Sequence, residues 1–136
     1  MEIVPERLVS PPLYARAIGS EEQAYYSTDA ALAAGLRGRP SPGLAFFHTV
    51  DEDALTEVIG VVYGRTLAAG AESEFGVMAT ERDTVIGQTY VEEAYRRPGK
   101  DGTMRQFLVL TTEFRLKETD ELVSRSRITF IEKETE

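Results

Sequence analysis

The stretch FLVLTTEFRLKETDELVSRSRITFI, Phe107–Ile131, decides the fold. Apolar or small side chains fill every second position on both sides of the short acidic segment KETDE. They are Leu108, Leu110, Thr112, Phe114 and Leu116 before it, and Leu122, Ser124, Ser126, Ile128 and Phe130 after it. Alternate residues of a strand share one face, and so short a connection joins antiparallel neighbours. The stretch therefore predicts two adjacent, half-buried antiparallel strands.

The same alternation continues toward the N-terminus. Val85, Gly87, Thr89 and Val91 fall on one side of a further candidate strand, and RPGKDG, Arg97–Gly102, reads as a turn. Earlier strands are expected around 74–78 and near 3–8. The C-terminal half is thus predicted to be a long antiparallel meander.

The N-terminal half has helical spacing instead. SPPLYARAIG, Ser10–Gly19, predicts a short helix that ends at glycine, and a second helix is expected after YSTD, ending at Gly35. LAFFHTVDEDALTEVIGVV, Leu44–Val62, is the longest and most apolar helix candidate. The acidic step Asp51–Asp53 would also allow two helices there. Helices first and a meander last predict an α+β hot dog fold, an antiparallel sheet wrapped around a long central helix, in one domain over residues 1–136.

Composition restricts the function classes. The sequence has no cysteine, which excludes thiolate nucleophiles and fits a cytoplasmic protein, and the start MEIVPERLV lacks the features of a signal peptide. A net charge of −8 argues against nucleic acid or an anionic membrane as partner. Two basic clusters, Arg37 with Arg39 and Arg96–Arg97 with Lys100, could each meet one phosphate-bearing ligand, although solvated loop charges are the simpler interpretation.

Four blocks resemble the MaoC-like dehydratase family in order and spacing, above all its N-terminal hydratase-like half and the accessory subunits of hydroxyacyl dehydratases. They are ARAIGSEEQAYYSTDAALAAG from Ala15, PSPGLAFF from Pro40, TLAAGAESEF from Thr66, and the long segment from Val91 to Lys133. Family members hydrate 2-enoyl thioesters of coenzyme A or acyl carrier protein, or dehydrate 3-hydroxyacyl thioesters. The resemblance implies an acyl-thioester pocket, no cofactor, and a homodimer or a heterodimer with another MaoC-like subunit.

The resemblance also locates the positions where catalytic members carry their proton-handling groups. In the family pattern G-D-x-N-P-x-H, GSEEQAY puts Ser20 at the aspartate position and Tyr25 at the histidine position. Neither hydroxyl is a natural general base near neutral pH. The connector keeps Gly43, whose N–H could hold the thioester oxyanion. Ser20, Tyr25 and Gly43 are therefore expected to bind substrate, and no catalytic residue is expected at the family positions.

Other side chains have competing interpretations. His48 could be a relocated acid–base group oriented by Asp51, but a packed histidine is the favoured interpretation, and Tyr25 is the other catalytic candidate. Glu21 and Glu22 could direct water at a thioester, yet acids before a helix are ordinary. Asp51–Asp53 have no histidine or cysteine partner, so no metal site is predicted.

Three functions follow as hypotheses. The preferred one is a non-catalytic or degenerate subunit that binds acyl thioesters and pairs with a catalytic (R)-specific enoyl hydratase or 3-hydroxyacyl dehydratase. The alternative is a self-sufficient dehydratase, isomerase or thioesterase of lipid or polyketide metabolism with a non-family site. If the chain is active, it is expected to be a hydro-lyase. A binding module that holds an acyl or polycyclic ligand without turnover is a third possibility.

Overall fold

The computed structural model describes residues 7–8, 11–41, 57 and 66–133. Its described strands form an antiparallel sheet, and two short helices precede most of it. The elements are β1 (Arg7–Leu8), α1 (Pro11–Ala17), α2 (Thr28–Ala33), β2 (Thr66–Phe75), β3 (Thr84–Pro98), β4 (Met104–Leu116) and β5 (Leu122–Lys133). The order across the sheet is β1-β3-β4-β5-β2. The predicted meander is confirmed, and the chain has the α+β hot dog fold.

Strand pairing confirms the predicted faces of the sheet. Gly87 faces Phe114, which faces Ser124, and the next row holds Thr89 and Thr112. We call this side the inner face. The opposite side, which carries Thr111 and Glu113, is the outer face.

The core lies at the end of the sheet where β3 begins and β4 ends. Phe114 and Val85 have no exposed surface, and Leu116, Val123 and Ala79 are buried around them. Beside this cluster the inner face carries two buried threonines, Thr89 and Thr112. Their hydroxyls lie 2.8 Å apart and hydrogen-bond each other. A buried hydroxyl with a partner avoids most of the cost of desolvation.

Cross-strand ion pairs on the outer face connect β2 to the rest of the sheet. Arg125 of β5 contacts Glu74 at 2.8 Å and Glu113 at 2.9 Å. Arg127 contacts Glu72 at 3.3 Å and, at 2.7 Å, Glu92 at the β3 bulge. Opposite charges facing each other across strands add modest stability, and here each arginine joins two carboxylates.

The first long strand differs from the prediction. A strand was expected around 74–78, whereas β2 runs over Thr66–Phe75 and has a bulge between Ala68 and Gly70. Between Leu67 and Phe75 its residues are small or polar, so they give no alternation of large apolar side chains. The physical reason is exposure: the nine residues from Leu67 to Phe75 are all exposed, so neither face of the strand selects apolar side chains.

Both predicted short helices are confirmed. After α1, Gly19 adopts a φ of 72°, and after α2, Gly35 adopts 86°, a left-handed conformation that glycine tolerates. Ser27 caps α2 because its Oγ accepts a hydrogen bond from the Ala30 N–H at 3.2 Å. The long central helix predicted over 44–62 lies outside the described residues, apart from position 57.

Candidate functional site

The loop that matches the family motif is held by its own hydrogen bonds. The Ser20 Oγ accepts from the Glu22 N–H at 3.3 Å, and the Ser20 carbonyl accepts from the Tyr26 hydroxyl. A single 3₁₀ turn, Gln23–Tyr25, follows and leads into α2. Ser20 is therefore part of the loop's internal bonding, while Tyr25, one turn later, points elsewhere.

Tyr25 lines a cavity of about 360 Å³ between this loop and the segment that follows β2. The lining is mostly apolar and comes from α1, the motif loop, the connector, the 75–79 segment and β5. Its residues are Tyr14, Ile18, Tyr25, Ser41, Phe75, Gly76, Val77, Met78, Ala79 and Val123. We call this space the 75–79 cavity. The Tyr25 hydroxyl forms no hydrogen bond with any residue in the described ranges, so it is available to a ligand.

The connector reaches the cavity through a short antiparallel bridge. Pro40 pairs with Thr80, the Ser41 N–H donates to the Ala79 carbonyl at 2.8 Å, and the Glu81 N–H donates to the Arg39 carbonyl at 2.9 Å. Ser41 is buried and lines the cavity. The bridge thus fixes the chain two residues before Gly43.

The Glu81 carboxylate forms an ion pair within this bridge and connects the bridge to α2 through a hydrogen bond. The Glu81 carboxylate accepts from the Arg39 Nε at 2.6 Å, from the Arg39 N–H at 3.2 Å and from the Thr28 hydroxyl at 2.8 Å. The hydrogen bond from the Arg39 side chain, supported by that from Thr28, holds the pKa of Glu81 below its ordinary value. The Glu81 carboxylate therefore joins α2, the connector and the turn that follows the 75–79 segment.

A second carboxylate orders the turn after the bridge. Asp83 accepts from the Thr80 N–H at 2.8 Å and forms a two-point contact with Arg37 at 3.0 and 3.2 Å. Burial raises the pKa of Asp83, but the hydrogen bonds from Thr80 and Arg37 outweigh it and the net shift is downward. The predicted basic cluster of Arg37 and Arg39 is thus neutralised within the chain.

Replacing Glu81 by glutamine is expected to lower the free energy of unfolding by about 1–2 kcal/mol near neutral pH, because it removes charge-assisted hydrogen bonds. The pKa of Glu81 is lower when folded, so its contribution is present above the ordinary value of 4.5 and is lost as pH falls through the folded pKa. Urea unfolding of the wild-type chain and of Glu81→Gln, between neutral and acidic pH, measures the difference in the free energy of unfolding at each pH. A difference that stayed constant across that range would contradict it.

Two of the predicted site residues lie outside the described residues, namely Gly43 and His48. Of the others, Tyr25 reaches the 75–79 cavity and Ser20 does not line it. Sequence reasoning missed the 75–79 segment as a cavity wall. The signal available was Gly76, directly after a strand and before the apolar pair Val77 and Met78.

The cavity has a mostly apolar surface. Three of its lining residues carry a hydroxyl group, namely Tyr14, Tyr25 and Ser41. Among its described lining residues there is no carboxylate or imidazole. Within the described ranges, no group of three metal-ligating side chains converges. Such a lining can hold an apolar chain and hydrogen-bond an oxygen atom, and the described residues that form it include no ordinary general base.

Comparison with known proteins agrees with this geometry. The family model for the FAS1-like dehydratase domain region matches residues 12–125. The chain belongs to this family. It is a MaoC-like hot dog dehydratase by family, as the sequence resemblance predicted.

Solved structures of low identity share the fold of this MaoC-like chain. A structure described as a MaoC-like dehydratase has 18% identity and a TM-score of 0.75, covering 97% of this chain and 40% of that one. The HadBC 3R-hydroxyacyl-ACP dehydratase complex from Mycobacterium tuberculosis has 17% identity and a TM-score of 0.70, covering 96% and 98%. The ChsH1-ChsH2 complex of the same organism has 16% identity and a TM-score of 0.68, covering 93% and 79%.

No curated protein matches the sequence. In the described part of the chain, no helix has the length and apolarity that a membrane crossing requires.

Proposed function

We propose that this MaoC-like chain is an accessory subunit: it holds an acyl thioester in the 75–79 cavity and pairs with a catalytic hydratase or dehydratase subunit. The observation that carries the proposal is the exposure of β2. An edge strand with nine consecutive exposed residues is an unprotected pairing surface, and proteins normally cover such edges.

The pairing surface extends beyond the strand. Phe75 at the end of β2 and Met78 three residues later are each 54% exposed, and Ile18, directly after α1, is 57% exposed. These three side chains also line the 75–79 cavity. A partner seated on β2 would therefore close the rim of the cavity. In support, two of the structural neighbours, ChsH1-ChsH2 and HadBC, are complexes of two different subunits.

The cavity chemistry supports binding without proton transfer. An acyl chain would lie against the apolar wall, and its thioester oxygen would accept a hydrogen bond from the Tyr25 hydroxyl. The family acid–base positions hold Ser20 and Tyr25. Because neither is a natural base near neutral pH, hydration of the alkene would fall to the partner's aspartate and histidine.

Pairing through β2 is tested with Ala71→Lys. Ala71 is exposed, so the change is expected to alter the stability of the isolated chain by less than about 0.5 kcal/mol. It places a charge on the edge strand and is expected to weaken assembly at least about tenfold. Light scattering and sedimentation of the chain, alone and with a MaoC-like subunit that retains the catalytic pair, measure assembly. Ala34→Lys, at an exposed position after α2, is the matched control.

Measurements of hydration activity distinguish an accessory subunit from a self-sufficient enzyme. The purified chain alone is expected not to hydrate crotonyl-coenzyme A, whereas its complex with the intact subunit does so. Tyr25→Phe in the complex is expected to leave the rate constant kcat nearly unchanged and to raise KM. Hydration by the chain alone, abolished by Tyr25→Phe, would instead establish a self-sufficient enzyme.

A further inference from the structure

Three cations stand in register on the outer face near the β3–β4 turn. Arg97 faces Arg105 directly, and Arg105 faces Lys133 on β5. Residues directly opposite on neighbouring strands share one face and lie close together, so like charges there destabilise the sheet. The arrangement is notable in a chain of net charge −8.

The neighbouring carboxylate does not neutralise this row. Asp101 lies 3.5 Å from the Arg105 Nη2 and 3.6 Å from the Lys133 Nζ, and it also accepts from the Thr103 N–H at 3.0 Å. Arg97 forms no ion pair with any residue that the structure describes. Two of the three cations share this single carboxylate, so the row keeps a net positive charge that can attract an external anion.

A row of apolar side chains runs beside the cations, one step further along the same face. Tyr95 faces Phe107, Phe107 faces Ile131, and Ile131 faces Leu67 of β2. The two rings are stacked, with centroids 4.8 Å apart and planes 6° apart. Leu67 is 74% exposed. We call the two rows together the hairpin-end surface.

The dimensions of the hairpin-end surface match those of a short helix. Both rows run across the strands and are separated by about 6.7 Å, two residues of strand. The apolar row crosses four strands, a length of about 14 Å. That length equals about ten residues of helix, and a helix is about 10 Å wide, so one helix can lie over both rows.

Ring access argues against a nucleotide. The Arg97 guanidinium lies 4.9 Å from the centroid of Tyr95, and Phe107 is stacked on Tyr95 as well. Both contacts use ring surface on which a base would stack, whereas apolar side chains can also pack on ring edges. The contact with Tyr95 also holds the Arg97 charge in place before a partner arrives.

We propose that the hairpin-end surface binds an acidic amphipathic helix of a partner protein. The apolar side of the helix packs on Tyr95, Phe107, Ile131 and Leu67, and its carboxylates meet the cation row. This surface is separate from the 75–79 cavity, which lies where β2 ends and β5 begins. Leu67 also belongs to the exposed run of β2 used for the proposed pairing, whereas the cation row lies on β3, β4 and β5, so the Arg97 and Lys133 variants test this inference separately from the proposed function.

The test uses the full chain and a labelled synthetic peptide of about 14 residues, with leucine at helical spacing on one face and glutamate beside it. Fluorescence anisotropy is expected to show binding that weakens with salt, because the charges are exposed. Replacing Arg97 and Lys133 together by glutamine is expected to weaken binding at least about tenfold, and Leu67→Ser several-fold.

Matched controls keep the outcome specific. Arg82→Gln changes an exposed cation away from the surface, and Leu13→Ser changes a leucine that is 69% exposed on α1. Both are expected to bind the peptide unchanged. Equal binding of a scrambled peptide, or unchanged binding by the Arg97 and Lys133 double variant, would overturn the proposal. Displacement of the peptide by ADP at equal affinity would reassign the surface to phosphate ligands.

Discussion

Replacing Gly76 by alanine is expected to lower the free energy of unfolding by about 2–4 kcal/mol and to abolish ligand binding in the 75–79 cavity. A Cβ at this position would overlap the Leu122 carbonyl oxygen and lie 2.9 Å from the carbonyl carbon. Those atoms are backbone, held by hydrogen bonds from Gly76 to Val123 at 3.0 Å and from Val77 to Leu122 at 2.8 Å. Relief of the overlap must therefore move a cavity wall.

Urea unfolding and the binding of a fluorescent acyl thioester measure the two effects of Gly76→Ala. The matched control is Gly70→Ala on β2, where an added Cβ meets nothing within 4 Å. That variant is expected to keep both stability and binding. If the two alanine variants behaved alike, the close approach of Gly76 to β5 would not be what shapes the cavity.

Phe114→Ala is expected to have the largest effect on stability, a loss of about 3–5 kcal/mol in the free energy of unfolding. The Phe114 ring has no exposed surface and lies at the centre of the core cluster with Val85 and Leu116. Its removal leaves a cavity that the paired strands cannot close. Thermal and urea unfolding measure the loss.

Phe75→Ala provides the comparison within the same residue type. Phe75 is 54% exposed, so its removal is expected to cost less than about 1.5 kcal/mol. The isolated chain should retain its fold and bind ligand more weakly. Equal losses of stability in the two phenylalanine variants would contradict the assignment of the core.

The sheet was predictable from sequence wherever one face is buried. Along β4, the alternate residues Leu110, Thr112 and Phe114 are all buried, as their spacing predicts. The register with β5 places them on the same face of the sheet. Along β2 the same logic misplaced the strand. Exposed strands are specified by backbone pairing with a neighbour, here with β5, and that leaves little trace in side-chain pattern.

The candidate site was predictable only in part. Tyr25 could be located because the glycines at 19 and 35 mark the ends of two helices, and the loop between them has a fixed length. The other cavity wall comes from residues about fifty positions later, brought close by the bridge between Pro40 and Thr80. Such a contact depends on tertiary pairing, which local spacing does not encode. Ser20 does not line this cavity and its hydroxyl accepts a hydrogen bond from the Glu22 N–H within its own loop, so its role in substrate binding stays a prediction.

The placement of β2 beside the last strand has a consequence for synthesis on the ribosome. Its partner, β5, begins only at Leu122, after β3 and β4 have been made. At about 5–20 residues per second, β2 emerges several seconds before the strand that will hold it. During that interval both of its backbone edges are unsatisfied, and Glu72 and Glu74 have not yet met their arginines. Repulsion between these carboxylates on neighbouring nascent chains would oppose premature association of β2, in addition to the ion pairs that they form in the folded chain.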